Sequence, residues 1–148
     1  MSTKKILFLC TGNYYRSRFA EELFNYRAAL IGLPWRAQSR ALAIERGGDN
    51  VGPISRFAIE ALAALRIEPS RAARFPMACR ADDLESADLI IALKEGEHRA
   101  ILSERFPGWQ SRVAYWHVHD IDVAEPTEAL AMINRLVSEL IGSMETTA

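Results

Sequence analysis

The sequence predicts a doubly wound α/β domain, and three observations carry that expectation. Short apolar runs alternate with segments of helical spacing along the chain. Ile6 to Cys10 and Leu89 to Leu93 are continuously apolar, as strands buried on both faces of a parallel sheet must be. Turn-forming residues separate the segments, with no repeat, low-complexity tract or linker among them. The 148 residues fit a single domain, 1–148, long enough to bury a substantial core.

Ile6 to Cys10 opens the sheet. Phe19, Leu23, Tyr26 and Leu30 follow at helical spacing, and Gly32 with Pro34 stops that helix. Trp35 to Ser39 is the second strand, with Trp35, Ala37 and Ser39 on one face. The polar, glycine-containing stretch from Arg40 to Gly52 reads as a loop. Pro53 opens a helix whose apolar stripe is Ile54, Ala58, Ala61, Leu62 and Leu65, ending before Pro69. A short acidic helical segment around Asp82 to Ala87 precedes the strand Leu89 to Leu93. Glu95 to Phe106 is helical and closed by Pro107-Gly108, and Val113 to Val118 is the last strand. The final helix has Pro126 in its first turn, with Ala129, Leu130, Ile133, Val137, Leu140 and Ile141 on one face.

Composition excludes several classes of function. Apolar residues make up 49% and charged residues 25%, ordinary for a globular protein. A net charge of −1 provides no field to steer the chain to nucleic acid or an anionic membrane. No run approaches membrane-spanning length, and the one after Lys4-Lys5 is too short for a signal peptide, so the expected location is the cytoplasm. Cys10 and Cys79 are too few and too far apart for a disulfide framework or a zinc site. His117 and His119 alternate on a strand, but no third ligand neighbours them and no metal is expected. Arg66, Arg71, Arg74 and Arg80 read as a solvated face.

The segment Cys10-Thr11-Gly12-Asn13-Tyr14-Tyr15-Arg16-Ser17 lies between a buried strand and a helix, where doubly wound sheets bind ligands. A loop of this length can curl around one tetrahedral anion, its backbone N–H groups pointing inward and the helix N-terminus beneath. Gly12 and Asn13 tolerate the positive φ values such a curl requires. Arg16 can then grip two phosphate oxygens. The same helix terminus and arginine favour the thiolate form of Cys10, and Ser17 can donate a hydrogen bond to it.

Cys-x-Gly-Asn-x-x-Arg-Ser at the end of an N-terminal strand resembles the phosphate-binding loop of the low-molecular-weight protein tyrosine phosphatases and the related arsenate reductases. Ser39, Val51-Gly52-Pro53-Ile54-Ser55 and Ala87-Asp88-Leu89-Ile90-Ile91 also match that family. The resemblance implies a four-stranded parallel sheet, order 2-1-3-4, with helices on both faces. It also implies hydrolysis of phosphate monoesters through a phosphocysteine on Cys10, with no cofactor. Thr11, Gly12, Asn13, Tyr14, Tyr15, Arg16 and Ser17 would bind the phosphate. The implied general acid is Asp120, in Trp116-His117-Val118-His119-Asp120, with Asp122 its near competitor; Ile121 replaces the usual proline. The implied partner is a phosphorylated protein or a small phosphate ester.

The sequence also departs from the pattern. Tyr15 stands where many relatives carry a second cysteine. Ala41 to Asn50 and Ile121 to Ala124 hold no aromatic residue to wall the cleft, which leaves Tyr14 as a ring wall or as a surface tyrosine. Arsenate reduction with an external thiol and an inactive phosphate-binding module are the alternatives. Phosphoarginine hydrolysis is a further option, although the relatives associated with it carry threonine at the position of Tyr14.

Overall fold

A computed structural model of the chain describes residues 2–120 and 124–147. Its centre is a parallel sheet of four strands, β1 (Lys4–Cys10), β2 (Trp35–Ala41), β3 (Leu89–Ala92) and β4 (Ala114–Tyr115), in the order β2-β1-β3-β4. The register sets Phe8 beside Ser39 on one side and Ile91 on the other. The order reverses at β1, so Cys10 ends a central strand at the switch point where such sheets bind ligands.

From Ile6 to Cys10 the side chains of β1 alternate between two cores, which is why that stretch is apolar at every position, whereas Lys4 and Lys5 at its start are exposed. Ile6, Phe8 and Cys10 pack with α1 (Arg16–Leu30), α2 (Arg56–Ala64) and α5 (Pro126–Thr147). Leu7 and Leu9 pack on the opposite face with α3 (Ala81–Ser86) and α4 (Glu95–Arg105). Among the described residues no helix is long and apolar enough to cross a membrane.

Three expectations are corrected. The buried stripe of α1 runs through Phe19, Ala20, Leu23, Phe24 and Ala28, whereas Tyr26 is 41% and Leu30 69% exposed. The helix packs that stripe against the sheet and α5, and Arg27 at its flank donates to Asn134 O and Ser138 Oγ of α5. The second helix begins at Arg56, not Pro53: Ser55 is its N-cap and accepts from the Phe57 N–H at 3.2 Å. The last strand is only Ala114–Tyr115, because His117 leaves the parallel ladder for an isolated antiparallel bridge with Lys94.

Candidate active site

The loop after β1 is built by turning its carbonyls outward. Cys10 O accepts from Leu42 N, Thr11 O from Ala43 N, Tyr14 O from Ser55 N and Tyr15 O from Phe19 N. Across each trans peptide plane the following N–H points the opposite way. The amides of Thr11, Gly12, Tyr15 and Arg16 therefore face away from those partners, above the α1 N-terminus and its positive dipole end.

Asn13 is the knot of the loop. It takes the left-handed conformation at φ 52°, whereas Gly12 stays out of that region. The expectation of a positive φ at Gly12 is thus corrected; one Asn suffices for the reversal. The Asn13 side chain is fully buried. Its Nδ2 donates to Ser17 Oγ and Ser39 Oγ, each at 2.9 Å. Its Oδ1 accepts from Met77 N at 3.1 Å and from Arg74 at 3.2 Å. Ser17 Oγ lies 2.9 Å from Cys10 Sγ.

Behind Asn13 lies a buried ionic cluster. Ser39 donates to Glu21, which is 1% exposed and also accepts from Arg74 at 3.0 Å and Arg18 at 3.3 Å. Glu22 accepts from the Ser70 and Arg71 backbone amides and pairs with Arg18. Arg74 is therefore not part of a solvated face: it reaches Asn13, Ser39 and Glu21 at once. Arg66 and Arg80 remain exposed.

Arg16 is 2% exposed. Its Nη1 donates to Val118 O at 3.0 Å and its Nη2 to Glu97 Oε2 at 2.9 Å, with Asp120 Oδ2 at 3.4 Å from Nη2. Burial opposes its charge, but Cys10, Glu97 and Asp120 together hold the guanidinium above its ordinary range. Glu97 also accepts from Thr11 Oγ1 and lies 3.0 Å from His98 Nε2. His98 Nδ1 accepts from Lys94 N at 3.1 Å, so the ring proton sits on Nε2, toward Thr11 and Glu97.

These groups open onto a cleft of about 540 Å³. Cys10, Gly12, Arg16 and Asp120 line it, with Asp49, Asn50 and Val51 on one rim. Aromatic residues line it as well: Tyr14, whose hydroxyl donates to Val51 O at 2.6 Å, Tyr15, and Phe57 from the start of α2. Tyr14 is thus a lining residue, and Phe57 is an aromatic wall the sequence reading did not find. Tyr15 is buried and donates to Pro126 O at 3.3 Å, and burial and Asp120 push its hydroxyl up to about 12. The competing Asp122, with Ile121 and residue 123, lies outside the described residues. His117 and His119 are both exposed, and among the described residues no group of three or more His, Cys, Asp or Glu side chains could hold a metal.

The sequence matches the family model for low molecular weight phosphotyrosine protein phosphatase over residues 5–144. The chain belongs to that family. Three solved structures show the same fold at low identity to this phosphatase. A low molecular weight protein tyrosine phosphatase from T. tengcongensis is 24% identical, with a TM-score of 0.78, covering 95% of this chain and 99% of that one. YfkJ from Bacillus subtilis is 23% identical, with a TM-score of 0.83, covering 99% and 98%. A YwlE mutant from Bacillus subtilis is 25% identical, with a TM-score of 0.77, covering 97% and 99%. A comparison with curated proteins returned no match. In this phosphatase the loop, Asn13 and Arg16 meet at the end of β1, with Glu97, His98, Arg74 and Phe57 set around them.

Proposed function

We propose that this phosphatase hydrolyses phosphate monoesters of phosphorylated proteins or small aryl esters through a phosphocysteine on Cys10. One observation carries the reading: Cys10 Sγ lies 2.9 Å from Ser17 Oγ in a cleft that Arg16 and Asp120 also line. The phosphate enters the loop of residues 11–16, against the inward amides and Arg16, with its aryl group between Tyr14 and Phe57. The Cys10 thiolate attacks phosphorus in line. As the S–P bond forms, the P–O bond to the leaving group breaks and Asp120 gives that oxygen its proton. Ionised Asp120 then takes a proton from the water that attacks phosphorus, the S–P bond breaks, and phosphate leaves. Ser17 supports the thiolate as nucleophile and as leaving group. Arg16 and the amides stabilise the equatorial oxygens throughout.

The two cysteines support hydrolysis over a disulfide-relay reductase. Cys10 packs in one core and Cys79 in the core on the other face of the sheet, and both are free thiols. Burial, with Asp83 nearby, pushes the Cys79 thiol up to about 12, which suits a structural role. We place the reaction in the cytoplasm and assign it no cofactor. Release of inorganic phosphate from an aryl phosphate, abolished in Cys10→Ser and severely reduced in Arg16→Lys, tests the function. Undiminished release by Cys10→Ser would refute it.

A further inference from the structure

Glu97 has an ordinary explanation as a first-turn carboxylate of α4, favoured by the helix dipole. Its contacts go beyond that. One oxygen, Oε2, accepts from Arg16 Nη2 and Thr11 Oγ1 and lies 3.0 Å from the proton-bearing His98 Nε2. Burial raises this carboxyl, but hydrogen bonds from His98, Arg16 and Thr11, with the charge on Arg16, hold it below the usual carboxylate range. Thus one carboxylate links Thr11 and Arg16 of the phosphate loop to α4.

Its effect on Arg16 is geometric. Val118 O takes Nη1 and Glu97 takes Nη2, so the far end of the guanidinium is clamped from both sides. None of these contacts uses Nε, so that edge remains for an anion. Asp120 Oδ2 is already 3.4 Å from Nη2. Without Glu97, Arg16 would swing toward Asp120 and pair with the group that must carry the proton.

We propose that Glu97 is a positioning residue for phosphoryl transfer, anchoring the far end of Arg16 so that its Nε edge meets the phosphate and the guanidinium does not turn onto Asp120. The proposal rests on the roles given above to Cys10, Arg16 and Asp120. Arg16 and Thr11 both donate to that one oxygen, with His98 Nε2 3.0 Å from it, so a glutamine can present its amide oxygen there and keep the anchor. Alanine removes the anchor, and aspartate is one methylene too short for it.

The test is steady-state kinetics on phenyl phosphate with inhibition by inorganic phosphate, for Glu97→Gln, Glu97→Ala and Glu97→Asp, with Arg16→Lys in parallel. Misdirecting Arg16 should cost Glu97→Ala about 10-fold to 100-fold in kcat and weaken phosphate inhibition, while Glu97→Gln stays within about threefold of wild type. Glu97→Asp should follow alanine, and it carries the test if alanine does not fold. Wild-type kcat and phosphate inhibition in Glu97→Ala overturn the proposal. So does equal loss in alanine and glutamine, since an anchor would have survived in glutamine. If Arg16→Lys is inactive while Glu97→Ala is wild type, only this inference fails; an active Arg16→Lys would instead refute the site itself.

Discussion

Ser17 Oγ lies 2.9 Å from Cys10 Sγ while accepting from Asn13 Nδ2 at 2.9 Å, so its own hydroxyl proton is available to the sulfur whenever Cys10 is a thiolate. This matters because a thiolate needs a donor both when it attacks and when it departs. A hydrogen bond to a charged group is worth about 1.5–3 kcal/mol, so Ser17→Ala should lower kcat about 10-fold to 100-fold. Pre-steady-state kinetics with a nitrophenyl ester should show the loss chiefly in breakdown of the intermediate, where the thiolate is the leaving group. An unchanged breakdown rate would remove Ser17 from the mechanism.

The cluster behind Asn13 predicts a stability effect. Glu21 is 1% exposed and serves Arg18, Arg74 and Ser39, so Glu21→Ala leaves the Arg74 guanidinium without its carboxylate and Arg18 with Glu22 alone. Breaking a buried ion pair in this way costs about 3–5 kcal/mol. Urea unfolding monitored by tryptophan fluorescence should show a loss of that size. Replacing an exposed arginine such as Arg66 should change the midpoint little.

His98 gives the fold a pH dependence. Burial holds its imidazole below the ordinary histidine range, outweighing the hydrogen bond to Glu97. The unfolded chain therefore binds a proton at higher pH than the folded one, so the stabilising effect of the neutral ring is full above the unfolded value and is lost as pH falls from there toward the lower folded value. Melting temperature should decline from about pH 7.5 to 5.5, around the unperturbed histidine value of about 6.5. In His98→Asn that slope should flatten. An identical slope in the variant would assign it to other groups.

Asp120→Asn should create a dependence on the leaving group. A stable phenolate such as nitrophenolate needs little protonation as it leaves, so the loss should be small with nitrophenyl phosphate and large with phenyl or tyrosyl phosphate. Rates across phenyl phosphates of graded leaving-group acidity check this, with Asp122→Asn as the comparison. A steep new dependence in Asp122→Asn alone would move the acid to that residue.

Legibility in the sequence followed the length scale of each interaction. The Cys10–Ser17 loop could be read because its requirements are local: a strand end, a reversal at Asn13 and a helix start. The Ile6 to Cys10 stretch of β1 was equally plain, since burial on both faces leaves it no polar position. The partners of the loop were not legible, because they come from distant segments. Glu97 reaches Thr11 across 86 positions and Arg74 reaches Asn13 across 61, and nothing near either residue marks it as more than a surface charge. Phe57 was missed because the cleft wall comes from the first turn of α2 and not from the flanking loops. Tyr26 and Leu30 misled because spacing locates an apolar stripe but not the neighbour that covers it.

The central claim is covalent chemistry at Cys10, and trapping the intermediate tests it most directly. Purified protein is mixed with nitrophenyl phosphate, quenched within milliseconds, digested and examined by mass spectrometry. The account predicts one phosphoryl group on the peptide that contains Cys10, formed at the rate of the nitrophenol burst and absent in Cys10→Ala. Continued turnover with no phosphoryl group on Cys10, or activity near wild type in Cys10→Ala, would contradict it.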